Sequence, residues 1–199
     1  ASALCAAVIG TAIGLAAGYL GGWLDALLMR LVDSVIALPL LPLLIVMAAI
    51  DPAKLGLEET ADASTFGLIR IIVIVSLVGW TTPARLVRGA TLAARAQGYV
   101  QAARALGVPP LAIALRHILP NISGPLIVAT TLAMGQVILF ESALSFLGLG
   151  IQPPTASWGN MLTGAQEMIW QAPMLAVYPG LAIFLTVVSV NFVGDALPV

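Results

Sequence analysis

Long apolar runs, separated by short stretches where charges, glycines and prolines gather, set the pattern of this chain. A membrane-spanning helix needs about 20 mostly apolar residues. Residues 1–24 carry no charge and predict a first span over about 3–22. A second uncharged run lies between Asp33 and Asp51, interrupted by Pro39 and Pro42. It predicts a helix that begins before Asp33 and is kinked or broken near the prolines. A third span is predicted over 67–86, with Arg70 near one end where its long side chain can reach the interface. A fourth covers 121–141 and a fifth 174–194. Residues 143–166 are also uncharged, but Gly148, Gly150, Pro153, Pro154, Ser157, Gly159 and Asn160 disfavour one continuous helix. That stretch predicts a loop with short or re-entrant pieces.

The few charges give this pattern a direction. Arg85, at the end of the third span, and Arg88, Arg95, Arg104 and Arg116, between it and the fourth, are five of the eight lysines and arginines. Residues 51–66 hold Asp51, Glu58, Glu59 and Asp62 against Lys54 alone. Basic residues favour the cytoplasmic side, so 87–120 is expected inside the cell and 51–66 outside. Threading the spans puts residue 1 outside and residue 199 inside, and predicts a further helix upstream of the first. The chain starts at an alanine with no basic run before its first span, which is unlike an intact signal peptide.

Composition narrows the class. The chain is 60% apolar and 9% charged, whereas a soluble domain is about 45–50% apolar and about 25% charged. The expectation is an all-α, polytopic membrane bundle with five spans. Cys5 is the only cysteine, which excludes an internal disulfide and a thiolate metal cluster and suits a small packed hydrophobe. A net charge of −1 gives no sign of a nucleic-acid partner. Lys54 is the only lysine, and no glycine-rich phosphate loop ending in Gly-Lys-Ser or Gly-Lys-Thr is present. A single histidine, His117, excludes a His-Glu-x-x-His metalloprotease site. A rhomboid-like serine site also lacks its setting, so these residues give no intramembrane enzyme site.

Residues 97–119 have an organisation of their own. Gln97 to Leu106 holds good helix formers, alanine above all. Gly107 suits the left-handed conformation that ends a helix. Pro109 and Pro110 stop continuation but suit the first turn of a second helix over Leu111–Leu119, which Pro120 is expected to end. Two short helices at a fixed elbow make a rigid knob. Tyr99, Gln101 and Arg104 give it a polar face, while Ala102, Ala103 and Leu106 are small or apolar. Such a surface suits a groove on a soluble partner. The plainer alternative is a basic loop that only orients the protein.

Other positions carry two readings each. Gly10, Gly14, Gly18 and Gly22 recur every fourth residue and permit close helix approach, either as static packing or as a sliding seam. Glu141, at the external end of the fourth span, either faces the pathway or gate, where it can attract a cation, or is hydrogen-bonded to Ser142 or loop amides. Asp25, Arg30 and Asp33 sit at a cytoplasmic turn, where mutual pairing or contacts with a partner are expected. His117 is expected to make a structural hydrogen bond. Trp158 and Trp170 suit interfacial anchoring or a surface for an external partner.

The run Tyr99-Val100-Gln101-Ala102-Ala103-Arg104-Ala105-Leu106-Gly107, followed by Arg116-His117-Ile118-Leu119-Pro120-Asn121, resembles the EAA loop of bacterial ABC importer permeases. It is most similar to the C-type subunits of the dipeptide, oligopeptide and nickel group. Gly18 to Asp25, Ala84 to Arg88, Glu141 to Gly150, Ser157 to Leu162 and Asn191 to Asp195 also resemble that family, so the likeness covers essentially the whole chain. The resemblance implies one permease domain over 1–199, lacking the family's first of six spans, with a cytoplasmic coupling helix within 97–119. It implies that Tyr99, Gln101, Ala102, Ala103, Arg104 and Gly107 dock on a cytoplasmic ATPase. The partners implied are a second homologous permease, two ABC ATPases that bind ATP and magnesium, an extracytoplasmic substrate-binding protein and membrane lipid. No cofactor is implied in this chain itself. The implied location is the bacterial cell membrane, and the implied cargo is a dipeptide or oligopeptide, with nickel, haem or glutathione as alternatives. Gln101 departs from the family's usual glutamate, which favours shape complementarity over an ion pair at the dock.

Overall fold

Nineteen residues without a charge, Ser2–Leu20, form the first helix, α1. The computed structural model that shows it describes residues 2–49, 63–151 and 154–197. Asp51, Lys54, Glu58, Glu59 and Asp62, the charges expected to mark an external segment, lie outside the described residues, as does Pro153. After α1 come α2 (Gly22–Ile36), α3 (Leu40–Ala49), α4 (Ala63–Gly79) and α5 (Thr81–Arg95). The short helices α6 (Gly98–Ala105) and α7 (Pro110–Ala112) make the elbow, and α8 (Ser123–Phe146), α9 (Trp158–Gln166) and α10 (Met174–Ala196) complete the chain. Among the described residues there is no strand. Four helical stretches are long and apolar enough to cross a membrane, and a fifth if α2 and α3, bent by 80°, count as one span.

The break between α2 and α3 follows from Pro39, which cannot extend a helix, and Pro42 sits harmlessly in the first turn of α3. Three boundaries differ from the sequence expectation. The third span runs over Ile71–Arg95 rather than ending at 86, because Arg85 and Arg88 are paired within the fold and need not reach water. The fourth continues to Phe146, so residues 143–146 are helix rather than loop. Pro120 does not stop the second elbow helix. A π-helical stretch over Ile113–Ile118 and a 3-10 turn over Leu119–Ile122 carry the chain into α8, making 37 helical residues from Pro110 to Phe146. Proline removes one intrahelical donor, and shifting the hydrogen-bond register around it leaves fewer groups unpaired than breaking the helix inside a membrane.

The packing centre is the α1–α5 pair. The two helices run parallel, and a Cβ added at Gly10 would lie 2.6 Å from the Trp80 carbonyl oxygen. One at Gly14 would lie 2.6 Å from the Ala84 carbonyl oxygen, and one at Gly18 would lie 2.7 Å from Thr91 Cβ. Three glycines on one face therefore bring the backbones into direct contact, where dispersion and close packing hold helices in lipid. Gly22 does not join that seam: its Cβ would meet nothing within 4 Å, and its φ of +61° follows +68° at Gly21. This glycine pair is the turn that starts α2. Span Ile71–Arg95 is the most enclosed, with 56% of its apolar window buried, against 11% for α10 at the periphery.

Candidate docking site at the elbow

Helix α6 ends in a double hydrogen-bonded turn that fixes the elbow. Gly107 has φ +73°. Its N–H donates to the Arg104 carbonyl at 3.0 Å, and the Val108 N–H donates to the Ala103 carbonyl at 3.1 Å. This is the Schellman arrangement, which satisfies the last carbonyls of a helix and favours glycine at the left-handed position. Pro109 is extended and Pro110 opens α7, where its missing N–H has no helical partner to lose.

Two residues seat α6 on the bundle: Val100 and Ala103 are buried in a cluster with Leu15, Tyr19, Val87 and Ile113. Ala103, expected at the dock, therefore faces the chain's own core rather than the surface. Helical period explains it, since 100 and 103 are three apart and share a face. Tyr99, Gln101, Ala102, Arg104 and Gly107 are exposed. Beside them stand Leu106, 83% exposed, and Leu111, 71% exposed, which make an apolar tip on the elbow. Leu106 is among the small or apolar positions expected on the knob, whereas Leu111 is not singled out by the sequence pattern. A large apolar side chain just after a helix-starting proline is the signal that marks it.

Arg104 and Gln101 of α6, though exposed, reach back to the bundle. The Arg104 guanidinium lies 5.1 Å from the centroid of the Tyr19 ring. Gln101 Nε2 donates to the Arg95 carbonyl at 3.4 Å. Arg95 itself donates from Nη1 to the carbonyls of Tyr19, at 2.9 Å, and Gly18, at 3.3 Å. These are end carbonyls of α1, which lack intrahelical partners, so a guanidinium there is favourable both as donor and as charge.

Asp25 and Asp33 were expected to pair with Arg30 or with a partner, but both reach α5 instead. Arg88 makes a two-pronged pair with Asp25 at 2.5 and 2.6 Å, and Arg85 pairs with Asp33. Arg88 and Arg85 take up the two carboxylates, which leaves neither of them paired with Arg30. Arg30 makes no ion pair among the described residues.

Glu141 sits at the opposite end of α8, about 27 Å along its axis from Ser123. Ser145 donates to Glu141 Oε1 at 2.7 Å and Ser142 to Oε2 at 3.5 Å, while the Ile151 N–H donates to Ser145 Oγ at 3.1 Å. The carboxylate thus accepts serine hydroxyls, and its link to the following loop amide runs through Ser145. It also lines a recess of 330 Å³ with Ile151, Ala156, Ser157, Trp158 and Met161. No group of three or more metal-ligating side chains occurs among the described residues. The His117 carbonyl accepts from Asn121 at 2.6 Å, so the structural hydrogen bond there belongs to the backbone rather than the imidazole. Trp170 is 95% exposed, as an interfacial anchor requires.

Residues 10–198 match the protein family described as "Binding-protein-dependent transport system inner membrane component". The chain is 42% identical over 191 residues to the glutathione transport system permease protein GsiD of Escherichia coli O157:H7, covering 96% of this chain and 59% of that protein. The Shigella sonnei (strain Ss046) protein of the same name gives the same values. That of Shigella flexneri serotype 5b (strain 8401) is 42% identical over 173 residues, 87% of this chain and 53% of the relative. The chain spans just over half the length of these curated relatives.

Proposed function

The chain belongs to the family of binding-protein-dependent transport system inner membrane components, and on that premise we propose that it is one permease subunit of an ATP-driven importer of short peptides. It forms half of a translocation path with a second, homologous permease. Two cytoplasmic ATPases bind ATP and magnesium and drive the pair, while an extracytoplasmic binding protein delivers cargo. The chain itself supplies no catalytic group and holds no cofactor. Its elbow docks on an ATPase and passes nucleotide-driven closure to the spans, through Tyr99, Gln101, Ala102, Arg104 and Gly107 at the surface and Ala103 beneath them.

The observation that carries this reading is the apolar tip, Leu106 and Leu111, exposed on a backbone fixed by the Gly107 turn. Exposed leucines on a rigid, otherwise polar knob lower their free energy by entering a groove on a partner. Among cargoes, similarity to glutathione transport system permeases favours glutathione, itself a tripeptide, within the peptide class. Glu141, lining its recess at the far end, is the proposed pathway or gate residue.

Uptake by proteoliposomes holding the full transporter tests the proposal. With binding protein and ATP present, a dipeptide or glutathione is imported. Leu106→Glu lowers that import by about tenfold or more, because a carboxylate forced into an apolar groove costs at least the ~1.4 kcal/mol that a tenfold change requires. Nickel or haem import with no peptide import assigns another cargo. Undiminished import by the Leu106→Glu variant refutes docking, and a chain that supports no ATP-dependent import of any of these is a scaffold.

A further inference from the structure

The cytoplasmic end of α1 is bound to the elbow by contacts that packing alone does not require. The last carbonyls of α1 accept from Arg95, the final residue of α5. The Tyr19 ring, buried beneath the elbow, receives the Arg104 guanidinium over its face at 5.1 Å. Gln101 of α6 donates to the Arg95 backbone. Three elements thus meet at one knot, and the only chain connections leaving α1 beyond it are Gly21 and Gly22, both in the left-handed region. A side chain at Gly21 would come within 3.0 Å of the Arg95 guanidinium, so the knot also fixes what the turn can hold.

We infer that Tyr19 and Arg95 are positioning residues for energy coupling: together they latch the elbow to the end of α1, so that movement of α6 displaces α1 and α5 as one body. This rests on the proposal that α6 receives the ATPase stroke. The physical reasons are directional. A guanidinium over a ring face resists lateral slip while tolerating rotation. A guanidinium on end carbonyls holds a helix terminus along its axis. Below the latch, the glycines of α1 bring its backbone against α5 and Leu15 packs with Val87, so the pair responds together. Helix α2 leaves through two glycines and is held to this body by Arg88–Asp25, by the half-exposed Arg85–Asp33 pair and by buried Val32 against Ala6, Trp80 and Ala84.

The test uses the assembled transporter in lipid, with Tyr19→Phe, Tyr19→Leu and Arg95→Gln, and reads two quantities. The first is hydrogen exchange of the α6 amides without nucleotide. Tyr19→Leu and Arg95→Gln speed it, whereas Tyr19→Phe, which keeps a ring face, leaves it at the wild-type rate. The second is cargo imported per ATP hydrolysed. The same two variants lower it about fivefold or more, the lower end of site-to-site coupling, with the ATPases still bound. Wild-type exchange in both variants overturns the latch. Faster exchange with an unchanged import ratio overturns its role in coupling, and so does a Tyr19→Phe loss equal to that of Tyr19→Leu. A wild-type assembly that hydrolyses ATP but imports nothing counts against the proposed function, while the exchange result still decides the latch.

Discussion

Gly14 and Ala103 show how much a single position decides here. At Gly14, a side chain would collide with the Ala84 carbonyl oxygen, a backbone atom that cannot step aside. Gly14→Val should therefore destabilise the bundle by about 2 kcal/mol or more, as forced overpacking does. Gly22→Ala meets no neighbour and should lose only the roughly 1 kcal/mol of a left-handed alanine. Thermal unfolding in detergent, followed by circular dichroism in a comparison of both variants, measures the difference; Cys5 gives no readout because it is exposed in the folded chain rather than packed as expected. The four-residue glycine spacing was legible in the sequence, and so was its close-packing meaning. That Gly22 belongs to a turn was not, because spacing alone cannot report the sign of φ. Ala103 carries the companion lesson. Ala103→Glu buries a carboxylate beside Val100 and Tyr19 and should unseat α6 altogether, whereas Ala102→Glu changes only the exposed face. Limited proteolysis of the elbow should cut the first variant faster than wild type and leave the second unchanged.

At the scale of elements, the apolar runs announced most helices, and the prolines announced the α2–α3 break. What they did not announce was how charge is retained inside a span. Arg88 on α5 is tolerable because Asp25 on α2 meets it with both oxygens, 63 residues away in sequence. No local pattern encodes that distance. The two pairs between these helices should differ in strength, since the Arg88–Asp25 side chains are 33% and 17% exposed and the Arg85–Asp33 side chains 50% and 51%. Asp25→Asn should cost about 2 kcal/mol, the loss of a charged hydrogen bond in a poorly hydrated place. Asp33→Asn should cost under about 1 kcal/mol, as exposed pairs do. Unfolding midpoints of the two variants, taken in the same detergent, check the order, and equal losses would disprove it. The passage through Pro120 was likewise illegible, because a π-helical stretch upstream can absorb a proline that would otherwise end a helix.

For the whole molecule, the distribution of surface follows from the solvent. Along α10, Tyr178, Phe184 and Phe192 are each at least 60% exposed, a face that suits lipid or a neighbouring span rather than water. Polar connections gather at the two ends, with the arginine-bearing elbow at one and the Glu141 recess at the other. Three of the five arginines from Arg85 to Arg116 belong to α5, whereas the elbow itself was legible from Gly107 and the two prolines that follow it. Its outward-facing residues were less so, because which alanine of α6 points inward depends on how the helix sits against Tyr19 and Ile113. The account as a whole depends on which side of the membrane that elbow occupies. Leu106→Cys, in a Cys5→Ser background, should resist a membrane-impermeant maleimide added to intact cells. It should react once the membrane is opened and the ATPases are stripped away. Labelling of Leu106→Cys from outside the intact cell would contradict the account.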